Sequence, residues 1–291
     1  MDKAVIRRSR NEDTEEIMAM LLEMDSSDYL QETWPDWMKD TEDIQMTALV
    51  GGRIAGCVHG RISAGQDAWA QGLRVRADFR RRGIATSLIT DLEEELRRKG
   101  ARTVFATISR FNQPSLATVA GLNWKIFFPI IRRRLKTGSR RLAFSPQQHV
   151  ASHRPSPDLH AVQRIVRLSG VPASRRAAAF FKRVYFSMTE EFLREALVSG
   201  VVRANTSPAA VAVLDPEPTE NKGLWVVALA GAVSGLLGLI GDLAAEAACK
   251  ELDLVADSPD DPEIQAVLDD LGFVPPGTDE QFMVVEKDLL V

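Results

Sequence analysis

The stretch from Ala68 to Lys99 constrains this chain more than any other. Ala68 to Val75 is an apolar run that reads as a strand, and from Thr86 to Lys99 the residues Leu88, Ile89, Leu92 and Leu96 recur at helical spacing. The turn between them carries Arg80-Arg81-Arg82 and then Gly83-Ile84-Ala85. A helix start presents unpaired backbone N–H groups and the positive end of the helix dipole. Gly83 and Ala85 let the backbone close on a ligand, and the arginines add charge. A pyrophosphate is the chemistry that fits.

Neither a GxGxxG nor a GxxxxGK[ST] loop is present, because Gly83 is the only glycine of the turn and no lysine follows. The pattern is Arg80-x-x-Gly83-x-Ala85, preceded by Leu73-Arg74-Val75. Further on, Asn112-Gln113-Pro114-Ser115 is followed by Asn123-Trp124, eleven and twelve residues beyond Asn112. Together these resemble the GNAT N-acetyltransferase superfamily: its acyl-CoA motif, then N-x-x-S, a helix and Gly-Phe. The resemblance implies an α/β (α+β) lobe with a mixed, mostly antiparallel sheet flanked by helices. It implies acetyl-CoA as cosubstrate and direct acyl transfer to an amine. It assigns the pantetheine to the strand Leu73, Arg74 and Val75, and the pyrophosphate to the turn Arg80, Arg81, Arg82, Gly83, Ile84, Ala85 and Thr86. The CoA arm falls to Asn112 and Ser115.

With 291 residues, 45% of them hydrophobic and 26% charged, one large domain or two ordinary ones are expected. Two cysteines, Cys57 and Cys249, make neither a disulfide framework nor a metal site, and a reducing cytoplasm is the expectation. The first residues lack the apolar core of a signal peptide. Leu224 to Gly241 is uncharged and nearly of membrane-spanning length, but its glycines favour a strand followed by a buried helix. Residues 1–150 hold 24 basic against 19 acidic side chains, and residues 151–291 hold 12 against 21. Only the first half is suited to meet a polyanion.

The second half reads as a degenerate copy of the first. A strand at Trp225 to Leu229, a helix at Gly235 to Glu251 and a strand at Leu252 to Ala256 repeat the order around Trp69. Asp260-Asp261-Pro262 and Gly272-Phe273 fall where Asn112-Gln113-Pro114 and Asn123-Trp124 do, and Phe282 to Leu289 resembles a closing strand. The expected organisation is a catalytic lobe at 1–136, a Ser/Pro/Arg-rich linker at 137–160 and a degenerate lobe at 161–291, with Ile126 to Leu135 closing the first lobe. Trp69 to Asp91 spans 22 positions and Trp225 to Asp242 only 17, and Leu229 to Ser234 contains no arginine. One acyl-CoA per chain is therefore expected.

The acid–base residues of the resemblance do not carry over. Many relatives place a glutamate near Gln71 and a tyrosine where Val119 stands. A glutamine accepts no proton at neutral pH. Catalytic candidates are therefore Gln71 by position, and Glu32, His59 or Asp67 as a base acting through water. His59 reads either as a hydrogen-bonded sheet histidine or as that base. From Asp25 to Trp37, Tyr29, Trp34 and Trp37 stand among Asp28, Glu32 and Asp36. They either cover the core edge or line a pocket for a cationic amine, with Tyr29, Glu32, Trp34 and Trp37 as substrate residues. The Asp-Tyr-Leu…Trp-x-x-Trp and Gln-Gly-Leu-Arg-Val stretches are loosely similar to histidine N-acetyltransferase-like proteins. The expected partner is a small amino-acid-like amine. A non-catalytic acyl-CoA sensor is the alternative. Nucleic-acid binding through Arg80–Arg82, Arg132–Arg134 and Arg140–Arg141 is disfavoured by the net charge of −4. No metal and no membrane is expected.

Overall fold

The computed structural model describes residues 3–62, 66–137, 178–181, 184–187, 190–206, 209–214, 223–231, 233–275, 277 and 280–290. The expected linker lies outside these residues apart from Thr137, and so do Arg140 and Arg141. The chain divides into two units: residues 1–108, 112–126 and 285–291 form the first, and 109–111 with 127–284 the second.

In the first unit, β1 (Val5–Arg8), β2 (Ile44–Val50), β3 (Arg53–Ile62) and β4 (Asp67–Val75) pair antiparallel in that order. Parallel to β4 runs β5 (Thr103–Ser109). Helix α1 (Thr14–Met24) buries Ile17, Met20 and Leu21. Helix α2 (Leu30–Trp37) is not anticipated by the sequence analysis, because Pro35 lies inside it. It forms because Leu30, Trp34 and Trp37 recur on one face, which packs with α1 into a cluster containing Ile54 and Cys57. Helix α3 (Ile84–Arg98) buries Leu88, Ile89, Leu92 and Leu96, as the spacing predicts.

Strand β3 is covered on both faces: every residue from Ile54 to Gly60 is buried. Gly56 and Gly60 lie against Leu88 and Leu92 of α3, whereas Cys57 belongs to the α1–α2 cluster. Helix α4 (Gln113–Gly121) is capped by Asn112, whose side chain accepts from the Ser115 N–H (3.2 Å). Past it, Asn123 takes the left-handed φ of 65° that its position demands, and Trp124 is buried with Nε1 donating to Glu93 (2.6 Å).

In the second unit, β6 (Lys125–Leu135, through 127–135) pairs antiparallel with β12 (Asp253–Pro259). Beside β12 lie β11 (Gly223–Gly231), β10 (Ala209–Leu214) and β9 (Val202–Thr206) in turn, and β7 (Ala178–Phe181) with β8 (Val184–Ser187) forms a separate hairpin. The helices are α5 (Glu190–Val198), α6 (Val233–Cys249) and α7 (Pro262–Asp270). The uncharged run from Leu224 is thus a strand followed by a helix, and among the described residues no helix is long and apolar enough to cross a membrane. Residues 127–135, expected to close the first lobe, belong to the second unit. The first unit instead contains 285–291, including the end of β13 (Gln281–Asp288): Lys287 donates to Glu93, and the Leu289 N–H bonds the Arg102 carbonyl (2.7 Å).

Candidate active site

The centre of the first unit is an opening in its own sheet. The parallel pairing of β4 with β5 runs through Asp67–Thr103, Ala68–Val104 and Trp69–Phe105 and stops there. From Gln71 to Val75 the edge of β4 towards β5 carries no ladder. A bulge on the other side supports this splay. Cys57 pairs with Arg74 but His59 with Gln71, so β4 has one residue more than β3 between these pairs. Gly72 takes φ +68° there, and a Cβ on it would come within 3.1–3.2 Å of Trp37 and Leu30. Leu73 and Val75 lie on β4 beyond the last of these pairs.

Beyond Val75 the turn passes through a short 3-10 segment, Ala77–Phe79, whose Phe79 is buried under the guanidinium groups of Arg53 and Arg82 (5.6 and 5.3 Å from the ring). Arg80 Nε bonds the Val75 carbonyl (3.1 Å). Arg81 and Gly83 are both left-handed, with φ of 59° and 74°. For arginine that conformation carries a cost, which places local strain in the turn. The first bond within α3 runs from Ser87 N–H to Gly83 O, so the N–H groups of Ile84, Ala85 and Thr86 precede the ladder. A Cβ at Gly83 would meet nothing within 4 Å, so the space beside Gly83 is open. The turn fits a phosphate-bearing ligand on these grounds. Arg80, Arg81 and Arg82 are exposed, and among the described residues none has an acidic partner; Ile84 is buried and anchors the turn.

The Arg74 side chain forks onto Asp28 (2.6 and 3.0 Å) and lies 5.8 Å from the Tyr29 ring. Burial alone would lower its pKa, but the bonds to Asp28 and that carboxylate's charge hold it above the usual value. The pair fastens the start of α2 to β4.

His59 is fully buried, stacked on Trp37 with ring centres 3.9 Å apart. Its Nε2 meets Asp43 Oδ2 at 2.8 Å and its Nδ1 meets Gln71 Nε2 at 3.2 Å. Burial pulls its pKa below the ordinary value and outweighs the opposing effect of Asp43. With no exposed surface it cannot reach an amine itself; half-buried Gln71 stands in front of it. Asp43, which the sequence analysis does not single out, also accepts from Arg61 Nε (2.8 Å), and Arg61 reaches Asp40 (2.9 Å). The signal for Asp43 is register: Gln45, two residues later, pairs with His59 across β2 and β3.

The acidic and aromatic segment separates into two faces. Trp34 is fully buried in the α1–α2 cluster, so it cannot form a wall that a ligand touches. Trp37 is half-buried, while Tyr29 and Glu32 are exposed. Asp28 is committed to Arg74 and Asp36 to Lys39. Asp67 pairs with Thr103 at the closed end of the β4–β5 ladder, four residues before Gln71, and raises the pKa of Glu286 behind the larger effect of burial. Val119 is buried, so the position of the family's tyrosine carries no proton donor. Cys57 is buried and its thiol is pushed up to about 12 by burial, which makes it an inert core residue.

Residues 11–120 match the model of the Acetyltransferase (GNAT) family. A GCN5-related N-acetyltransferase from Sphaerobacter thermophilus superposes with a TM-score of 0.64 at 14% identity, covering 99% of this chain and 96% of that one. A proposed acetyltransferase from Thermoplasma acidophilum gives 0.59 at 16% identity, covering 98% and 99%. A GCN5-related N-acetyltransferase from Kribbella flavida gives 0.51 at 12%, covering 99% and 71%. At these identities the likeness concerns the fold. No curated protein matches the sequence.

Proposed function

We propose that this chain, whose residues 11–120 match the Acetyltransferase (GNAT) family, is an N-acetyltransferase with acetyl-CoA as its cosubstrate, and that it acetylates the primary amine of a small, amino-acid-like molecule by direct transfer. The observation that carries the reading is the end of the β4–β5 ladder at Trp69–Phe105, next in sequence to a helix start with open space beside Gly83. Acetyl-CoA supplies the activated acetyl thioester. The backbone of Leu73 and Val75 would hold its arm, and the N–H groups of Arg81 to Thr86 with the exposed arginines its phosphates. In the transfer the amine nitrogen bonds the acyl carbon, the carbon–sulfur bond breaks, the sulfur leaves as thiolate and the amine loses a proton to water. Neither Gln71 nor Val119 can take or give that proton, so positioning carries the acceleration.

For the acceptor, the exposure of Tyr29 and Glu32 and the half-buried Trp37 support reading this segment as a pocket lining; fully buried Trp34 does not support its own part in it. An exposed carboxylate on the same short helix segment as aromatic residues suits a small cation. The test is thiol release from acetyl-CoA in the presence of amino acids, polyamines and aminoglycosides. Release with an amino-acid-like amine supports the reading, and acetyl-CoA binding without release for any amine overturns it. Buried Val119 in place of a proton donor favours the second reading, an acyl-CoA sensor, which that same outcome would support.

We also read residues 161–291 as a degenerate copy of 1–136. Supporting this, β10 and β11 pair antiparallel with a register shift, β11 and β12 pair parallel, and Trp225 sits opposite Val255 as Trp69 sits opposite Phe105. Asp261 caps α7 through its side chain, Gly272 is left-handed at φ 82° and Phe273 is buried, repeating Asn112, Asn123 and Trp124. The phosphate turn is not repeated. β4 and α3 are separated by Arg76–Gly83, whereas β11 ends at Gly231 and α6 begins at Val233. One acetyl-CoA per chain follows.

A further inference from the structure

Behind Gln71 stands a chain of buried polar groups that an ordinary sheet does not require. Asp43 and His59 side chains are each 1% exposed, and Arg61 and Asp40 complete the series towards solvent. Burying such groups is costly unless each hydrogen bond has a defined direction. That direction can be derived from the charged end inwards.

Arg61 is a permanent donor and occupies Asp43 Oδ1, so Asp43 is held as one member of an ion pair. Its second oxygen, Oδ2, therefore accepts from His59 Nε2 at 2.8 Å. A neutral imidazole has a single N–H. With that hydrogen on Nε2, Nδ1 is left with a lone pair and can only accept. The group facing it, at 3.2 Å, is the Gln71 amide, which must then present its NH2. Its carbonyl oxygen is left pointing away from His59. Burial helps by holding His59 neutral, because an imidazolium would donate from both nitrogens and demand the reverse amide orientation.

We propose that Asp43 and His59 are positioning residues that fix the Gln71 amide, so that its carbonyl oxygen faces the open edge of β4 and accepts a hydrogen bond from the incoming amine. This rests on the reading of the domain as an amine acetyltransferase. A glutamine on the surface of a strand can reverse its amide freely, and its two ends are opposite in hydrogen-bonding sense. The relay removes that freedom. The oxygen then selects acceptors with an N–H to give and holds the nitrogen lone pair towards the acyl carbon. Gln71 thus does by orientation what a glutamate in its place would do by taking a proton. Stacking of Trp37 on His59 fixes the ring plane, and Gln45 donating to the Trp37 carbonyl (2.5 Å) fixes Trp37.

The decisive variant is Asp43→Asn. Its amide would turn an oxygen to Arg61 and an NH2 to His59, moving the ring hydrogen to Nδ1 and reversing Gln71. The ring nitrogens of His59 are followed by 15N NMR, with His59→Gln identifying the signal among the four histidines. The wild type is expected to show an unprotonated Nδ1 and a protonated Nε2 near neutral pH, and Asp43→Asn the opposite tautomer. In the same pair, kcat/KM for the amine is expected to fall about 10–100-fold, through loss of an oriented hydrogen bond, with the KM for acetyl-CoA unchanged. Asp43→Glu, which keeps a carboxylate, should restore part of the loss. A wild-type His59 protonated on Nδ1 overturns the proposal, whether or not Asp43→Asn folds. So does a tautomer reversal that leaves amine kinetics untouched. Absence of thiol release from the wild type with every amine would count against the transferase reading instead, and the wild-type tautomer still decides the orientation.

Discussion

Two runs of three arginines occur in this chain, and they have opposite fates. Arg80, Arg81 and Arg82 are exposed around a left-handed turn, and among the described residues none meets a carboxylate. Arg132, Arg133 and Arg134 sit on β6, and each is paired. Arg132 forks onto Asp257 (2.8 and 2.9 Å) with its guanidinium 4.2 Å from the Trp225 ring. Arg133, 2% exposed, reaches Asp269 (2.6 Å) and the Phe273 and Val274 carbonyls, and Arg134 reaches Asp253 (3.3 Å). Three acidic residues of the second half, Asp253, Asp257 and Asp269, are the internal counterpart of this run. A triplet of arginines thus stays exposed or becomes an internal fastening according to whether the fold supplies carboxylates to it.

That contrast can be broken by substitution. Arg133→Ala leaves Asp269 and two carbonyls without their donor and opens a hole, and it should lower stability by about 3–5 kcal/mol in urea unfolding. A drop under 1 kcal/mol would mean that β6 is held by its apolar residues alone. Trp34→Ala belongs to the same class, since its ring is fully buried, and should lower stability by about 3–5 kcal/mol. If it instead raises the amine KM at unchanged stability, Trp34 is a pocket wall after all.

The exposed triplet should behave in the reverse manner. Arg81→Ala combined with Arg82→Ala should weaken acetyl-CoA about 10–100-fold by titration calorimetry while moving stability by no more than about 0.5 kcal/mol. The wild type should titrate with one equivalent per chain; two would mean that the shortened turn before α6 also binds. Glu32→Gln is the smallest effect in kinetics. Removing one exposed charge should raise the KM of a cationic acceptor by no more than about fivefold and leave acetyl-CoA affinity intact.

The buried His59 gives a graded effect with pH. Its folded pKa lies below the ordinary 6.5, so the unfolded chain binds the proton more readily. Stability is therefore complete above pH 6.5 and falls as pH drops from there through the folded-state pKa. Asp43, Asp40, Arg61 and Gln71 are the charged and polar groups that face it. Thermal melts across this range should show the slope in the wild type and lose it in His59→Gln.

Much of the first unit is legible in the sequence because its signals are local. Leu88, Ile89, Leu92 and Leu96 predict α3, whose start lies two residues earlier than expected because left-handed Gly83 already ends the turn. Asn123 predicts its own positive φ. What is not legible depends on neighbours distant in sequence. Pro35 masks α2, although Leu30, Trp34 and Trp37 have the spacing of a buried face. His59 reads either as a sheet histidine or as a base, and only Trp37, Asp43 and Gln71 around it decide for the first. Arg132 to Arg134 look superfluous until Asp253, Asp257 and Asp269 are placed beside them.

The membership of residues 285–291 in the first unit has a consequence for how the protein is made. A ribosome delivers β1 to β5 long before it delivers Lys287, the partner of Glu93, and the whole of 127–284 emerges in between. The nascent chain must therefore hold the Glu93 carboxylate with Trp124 but without Lys287, and the Arg102 carbonyl without Leu289, throughout that interval. A fragment ending at residue 136 would be arrested in that state, and complementing it with a separately synthesised remainder should complete the unit.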